Sequence, residues 1–170
     1  EWPTTEHYYQ AMKFINAEGG PTDQGTNHVE KIRQLKTPRE AFNYSRAGGD
    51  GHRKDRKDWH SHRDMTGVAP KDQAMHNVVV AKFTQNQDLR DLLMSTATNR
   101  VIRTIVEASP IDDYWGSGDD GSSWTFGMGG NKLGQLLYNI RRDLYASEQR
   151  TGTAHVNSYG FPYRPGATPV

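Results

Sequence analysis

Near the start of the sequence, a carboxylate, an amide and an amine are spaced to act together. Glu6, Gln10 and Lys13 stand at i, i+4 and i+7 of a segment, Thr5 to Ala17, that reads as a helix. A carboxylate can take a proton or steady a developing positive charge, and a lysine amine becomes a nucleophile once burial lowers its pKa. Tyr9 and Phe14 flank the stripe, which suits the wall of a polar pocket. Tyr8, Met12 and Ile15 fall on the opposite side and form the expected core face. By itself the stripe reads as a solvent-facing surface with incidental aromatics, because short patterns match by chance.

A second candidate region runs Glu107-Ala-Ser-Pro-Ile-Asp112-Asp-Tyr-Trp115-Gly116, with acidic groups and an indole where a loop leaves a strand. An indole in such a loop can stack on a base or simply seal the core. Gly127-Met-Gly129-Gly130-Asn131 opens a helix, so its N–H groups can hold a phosphate or merely form a flexible lead-in capped by Asn131. Gly116-Ser-Gly118-Asp-Asp-Gly121 is a literal GxGxxG. It does not run directly from strand to helix, which excludes a dinucleotide fold. His60-Ser61-His62, with His52, lacks carboxylate or thiolate partners at ligand spacing, and no metal or cofactor is expected. The basic run from Arg53 to Asp58 reads as a solvated loop rather than a nucleic-acid contact.

The elements that must position these groups are mostly helical. Pro3 and the Thr4–Thr5 pair start the first helix, and Gly19-Gly20-Pro21 ends it. His28 to Leu35 is a short helix with Val29, Ile32 and Leu35 on one side. Thr37-Pro38-Arg39-Glu40 combines an N-cap threonine, an N1 proline and a capping-box glutamate, and that helix runs to about Arg46. Residues 47–69 carry too few apolar side chains to pack and read as a loop or partly mobile insertion. A helix resumes near Pro70 with Met75, Val78, Val79 and Phe83 inward. Asn86-Gln87-Asp88 breaks it and caps another carrying Leu89, Leu92 and Leu93. Val101 to Val106 is β-branched enough for a short strand, and the last helix starts at Asn131 with Leu133, Leu137, Ile140 and Leu144 at helical spacing. From Ser147 the chain is a Gly-, Pro-, Thr- and Tyr-rich tail, surface-bound or disordered.

Composition narrows the classes. The 170 residues are enough for one domain with a real core, and 34% hydrophobic content with 17 glycines leaves room for long polar loops. Without cysteine there are no disulfides, thiolate metal sites or cysteine nucleophiles. A net charge of +1 excludes a strongly basic nucleic-acid coat, and no apolar run approaches a membrane span. A soluble, intracellular, cytoplasmic protein that does not act at a membrane is expected.

Taken together, these motifs resemble the NADAR, or YbiA-like, family. The resemblance is carried by Trp2-Pro-Thr-Thr-Glu-His-Tyr-Tyr-Gln-Ala-Met-Lys-Phe14, Thr37-Pro38-x-x-Ala41 and Arg56-Lys-Asp58-Trp59. It continues with Met75, Ala81-Lys82-Phe83-x-Gln85-Asn86, Glu107-Ala-Ser-Pro-x-Asp112-x-x-Trp115-Gly116, and Gly130-Asn131-x-Leu133-Gly134-x-Leu136-Leu137 followed by Arg141. It covers most of residues 2–146. It implies a single, mainly α YbiA-like domain over residues 1–146, with the insertion around 47–69, followed by the tail at 147–170.

The resemblance also implies an N-glycosidase acting on ribosyl bonds. Some members remove ADP-ribose from guanine bases of nucleic acids; others cleave phosphoribosylamino-pyrimidine intermediates of riboflavin synthesis. Its site residues map onto Glu6, Asp112 and Trp115, with Trp59 a further candidate, and the lysine of the first motif maps onto Lys13. Glu6, Lys13 and Asp112 are the expected catalytic groups, and Tyr9, Gln10, Trp59, Trp115, Gly116, Gly129, Gly130 and Asn131 the expected substrate contacts. The expected substrate is ADP-ribose or ADP-ribosylated guanine in DNA or RNA; a riboflavin intermediate, a non-catalytic ADP-ribose or nucleotide reader, and a nucleic-acid-binding module using residues 52–57 are the alternatives. The family's usual Phe-Ser-Asn-Phe-type segment ahead of the first helix is missing, so either the chain is trimmed or that pocket wall comes from elsewhere, for example the C-terminal tail. The lengthened stretch from His60 to Pro70 is expected to alter access to the site.

Overall fold

In the computed structural model, residues 1–22, 27–52, 54–61, 68–97, 105–106, 112, 114–117 and 130–150 are described. Among them the chain forms six helices and an isolated bridge between Ile15 and Pro21, which makes the fold mainly α. It divides into two compact units, Glu1–Lys82 and Phe83–Val170.

The first helix, α1 (Thr5–Met12), begins where its cap dictates: the Thr4 hydroxyl accepts the His7 N–H at 3.3 Å. It is shorter than its sequence pattern suggests, with Lys13 as C-cap rather than a helix to Ala17. Beyond it the chain folds back, Thr22 N–H donating to Phe14 O at 3.0 Å across a turn in which Gly19 has φ +81. The inward face is also rotated from the expected one. His7, Ala11 and Phe14 are 0–1% exposed, whereas Tyr8, Met12 and Ile15 are only half-buried. His7 can occupy the core because its ring nitrogens meet Thr4 Oγ1 at 2.7 Å and the Leu35 carbonyl at 3.1 Å.

Helices α2 (His28–Arg33) and α3 (Pro38–Ser45) pack on α1 around Ala11, Phe14, Ile32 and Ala41. The α3 start is the full capping box: Glu40 N–H donates to Thr37 Oγ1 at 3.2 Å and Thr37 N–H to Glu40 Oε2 at 3.0 Å. The described part of residues 47–69, expected as a loop or partly mobile insertion, is a loop folded into this unit. Gly51 N–H donates to Tyr44 O at 2.9 Å, Gly51 is buried, and Trp59 is 1% exposed. Backbone hydrogen bonds and one large ring substitute for the apolar side chains this stretch lacks. Gly49 lets the chain turn tightly out of α3, since a Cβ there would stand 2.2 Å from Asn43 O.

Helix α4 (Pro70–Gln85) buries Ala74, Val78 and Val79. In the second unit α5 (Gln87–Ser95) packs on α6 (Lys132–Arg150) through Leu93, Ile140 and Leu144. Tyr145 OH donates to Met94 O at 2.9 Å, Arg141 Nη1 to Thr96 Oγ1 at 2.6 Å and Arg90 Nη2 to Glu148 Oε1 at 2.8 Å. Leu92, expected on the inward face, is 63% exposed. Of the strand expected at 101–106, residues 105 and 106 have irregular backbone and the rest lie outside the described residues. Helix α6 continues past Ser147 to Arg150, into what the sequence reads as tail; residues 151–170 are outside the described set. No helix among the described residues is long and apolar enough to cross a membrane.

Candidate active site

In the first unit the predicted stripe on α1 is real, and a neighbouring helix closes it. Gln10 Nε2 donates to Glu6 Oε1 at 2.6 Å. A carboxylate only accepts, so this fixes the amide: nitrogen toward Glu6, oxygen away. That oxygen accepts a short hydrogen bond from the Ser45 hydroxyl at the end of α3. The hydroxyl proton being spent there, the Ser45 oxygen accepts from Lys13 Nζ at 3.2 Å. The result is a directional chain, amine to hydroxyl to amide to carboxylate, in which Gln10 is 2% exposed.

Burial pushes the Lys13 amine below its ordinary value of 10.5, and the Glu6 and Asp55 carboxylates partly oppose that shift. A larger share of the amine is therefore neutral, the form that attacks carbon. Lys13 Nζ lies 5.9 Å from the centroid of the Tyr9 ring. Behind Tyr9 stands Trp59, with centroids 5.2 Å apart. The segment carrying Trp59 is pinned to α1 by Arg56 N–H donating to Lys13 O at 2.6 Å. The Arg56 guanidinium in turn grips Asp58 through two bonds of 2.6 Å.

These contacts redistribute the roles expected of the first unit. Glu6 and Lys13 are half-buried and stand at the two ends of the hydrogen-bonded chain. Gln10 has its amide atoms engaged by Glu6 and Ser45, and Trp59 is a core ring at 1% exposure. Tyr9, at 8% exposure, lies between the amine and that core.

In the second unit the structure brings Asp112, Trp115, Gly116 and Asn131 together as one turn. Asp112 Oδ1 accepts the N–H groups of Tyr114 at 3.0 Å and Trp115 at 2.7 Å. The turn then caps α6: the N–H groups of Asn131, Lys132 and Leu133 donate to the carbonyls of Gly116, Tyr114 and Trp115 at 2.8, 3.3 and 3.2 Å. These are donors a phosphate would need, so the expected anion cradle at Asn131 is occupied by backbone. Asn131 adopts φ +36 and donates Nδ2 to Ile105 O at 3.0 Å. Gly134 admits that stretch of backbone, since a Cβ there would stand 2.1 Å from Ile105 O. Lys132 Nζ donates to Tyr114 OH at 2.9 Å, and the Tyr114 and Trp115 rings meet edge to face at 5.0 Å. Glu107 and residues 127–129, including Gly129, lie outside the described residues. Among the described residues, no cluster of His, Asp and Glu could hold a metal ion.

Residues 1–145 match the model of the NADAR domain family. This chain belongs to the NADAR family. It is 36% identical to the N-glycosidase YbiA of Escherichia coli, over 84% of this chain and 71% of that protein. Identity to the N-glycosidase Npun_R5314 of Nostoc punctiforme is 32%, over 84% and 74% respectively. The chloroplastic riboflavin biosynthesis protein PYRR of Zea mays is 35% identical over 84% of this chain, where the match occupies 20% of the relative. No solved structure matches the chain.

Within this NADAR domain, sequence reasoning gives no site role to Ser45, Asp55 or Arg56, although Arg56 opens one of the motifs of the resemblance. Each reaches Lys13 from more than thirty residues away in the chain. Helical spacing carries no such signal; the helix end that the α3 capping box implies was the one usable hint.

Proposed function

We propose that this chain is an N-glycosidase that hydrolyses a ribosyl N-glycosidic bond, and that its substrate is ADP-ribose carried on guanine bases of DNA or RNA. The observation that carries this reading is the hydrogen-bonded chain from the Lys13 amine to the Glu6 carboxylate. Breaking the bond between the anomeric carbon and the base nitrogen leaves an oxocarbenium-like centre that needs a negative neighbour and a nucleophile. Glu6 supplies the charge and can deprotonate a water. Lys13 offers the second route: its neutral amine bonds to the anomeric carbon, the base departs with a proton, and ring opening gives a Schiff base that water hydrolyses.

The relatives named N-glycosidase support the reaction class. The maize relative's name favours a second reading of the substrate, a phosphoribosylamino-pyrimidine intermediate of riboflavin synthesis. Incubating the full chain with ADP-ribosylated guanine DNA or RNA, beside the riboflavin intermediate, distinguishes them by which releases sugar. Release from neither substrate defeats the reading. Borohydride added during turnover traps an adduct at Lys13 if the Schiff-base route operates, and leaves active enzyme unlabelled if water attacks directly.

A further inference from the structure

The amine that the proposed reaction depends on is not positioned by its own helix alone. Its side chain has several rotatable bonds and could leave the stripe, yet the contact that holds its Nζ comes from α3, through Ser45. That hydroxyl has one proton and two acceptors within reach, Gln10 Oε1 by a short bond and Phe42 O at 3.4 Å. The closer acceptor takes it, which turns the Ser45 lone pairs toward the amine. Ser45 is half-buried and is the last residue of its helix, with Gly48 at φ +85 and the tight approach of Gly49 fixing the turn that follows.

We infer that Ser45 is a positioning residue for Lys13: its hydroxyl fixes where the amine stands relative to the Glu6 carboxylate and sets the amine's reactivity. The inference rests on the glycosidase reading for its catalytic consequence, but not for its effect on the amine. The groups acting on that amine are Glu6 from α1, Asp55 from the segment after α3, the Tyr9 ring and, from α3, the uncharged Ser45 hydroxyl. An acceptor on the ammonium favours its charged form, so removing the hydroxyl leaves the desolvation effect less opposed.

The test compares wild type, Ser45→Ala and Ser45→Thr as full-length, folded chains, matched by circular dichroism. The first readout is the pH dependence of Lys13 labelling by an amine-selective reagent, followed by peptide mass spectrometry. Ser45→Ala is expected to move the labelling midpoint to lower pH, and Ser45→Thr, which keeps the hydroxyl, to restore it. The second is turnover, in which Ser45→Ala is expected to lower kcat about tenfold with KM nearly unchanged, and its pH–rate profile to shift with the labelling midpoint. A midpoint that stays put in Ser45→Ala overturns the inference whatever the turnover. If the midpoint moves but no variant releases sugar from any ribosyl N-glycoside, the positioning of Lys13 stands and the glycosidase reading fails.

Discussion

In the first unit a carboxylate, an amide, a hydroxyl and an amine face one another side chain to side chain; in the second, the Asp112 carboxylate and the leading N–H groups of α6 are taken up by backbone. Both regions are dense in polar atoms, and both belong to motifs that carry the family resemblance. They differ in what the hydrogen bonds leave over. A side-chain chain of donors and acceptors leaves an amine and a carboxylate at its ends, Lys13 and Glu6. A carboxylate that accepts two backbone N–H groups shapes a turn, here the one that carries Tyr114 and Trp115. The difference separates a side-chain network from a backbone-built turn within one family signature.

The comparison can be broken most forcefully at Glu6. Glu6→Gln keeps an acceptor for Gln10 but removes the charge, and kcat is expected to fall by roughly 10²–10⁴-fold. Turnover near wild type in steady-state assays would mean that the first unit is not where the chemistry happens. At Asp112 the expectation is chiefly structural. Asp112→Ala should cost about 1–2 kcal/mol in urea unfolding, because two backbone donors lose their acceptor. Asp112→Asn, whose carbonyl can still accept them, should retain most of that stability; a kcat loss in this variant would add a chemical duty to the turn.

The smallest effect concerns pH. The folded protein titrates Lys13 below 10.5, so between that lowered value and 10.5 the folded state holds fewer protons than the unfolded chain. Stability contributed at this site therefore rises with pH across that window, and below it the cost of burying the charge is borne in full. Lys13→Met should be more stable than wild type near neutral pH, with the advantage shrinking as pH climbs toward 10.5. A stability difference that grows with pH would reverse the assignment of burial as the dominant influence.

How much of this was legible in sequence depended on range. The α3 start was fully readable, because a capping box is a local contract between Thr37 and Glu40. The α1 stripe was readable as geometry, but its depth was not, since Gln10 and His7 are buried only by partners on α3 and at Leu35. That is why the core face was misphased: a histidine counts as polar until its distant acceptors are known. The stretch after α3 read as loose for a related reason, since its order comes from backbone bonds to Lys13 and Tyr44 and from the single buried ring of Trp59. At the start of α6 the glycines suggested an anion site, and only the carbonyls of 114–116 show that the donors are engaged.

Lys13 is held at both ends by the same excursion of chain: its amine by Ser45, where the excursion departs, and its carbonyl by Arg56, where it returns. The loop between them is thus a calliper closed on one residue. Lengthening or shortening it is expected to alter the reach and environment of the amine without changing any residue of the hydrogen-bonded chain.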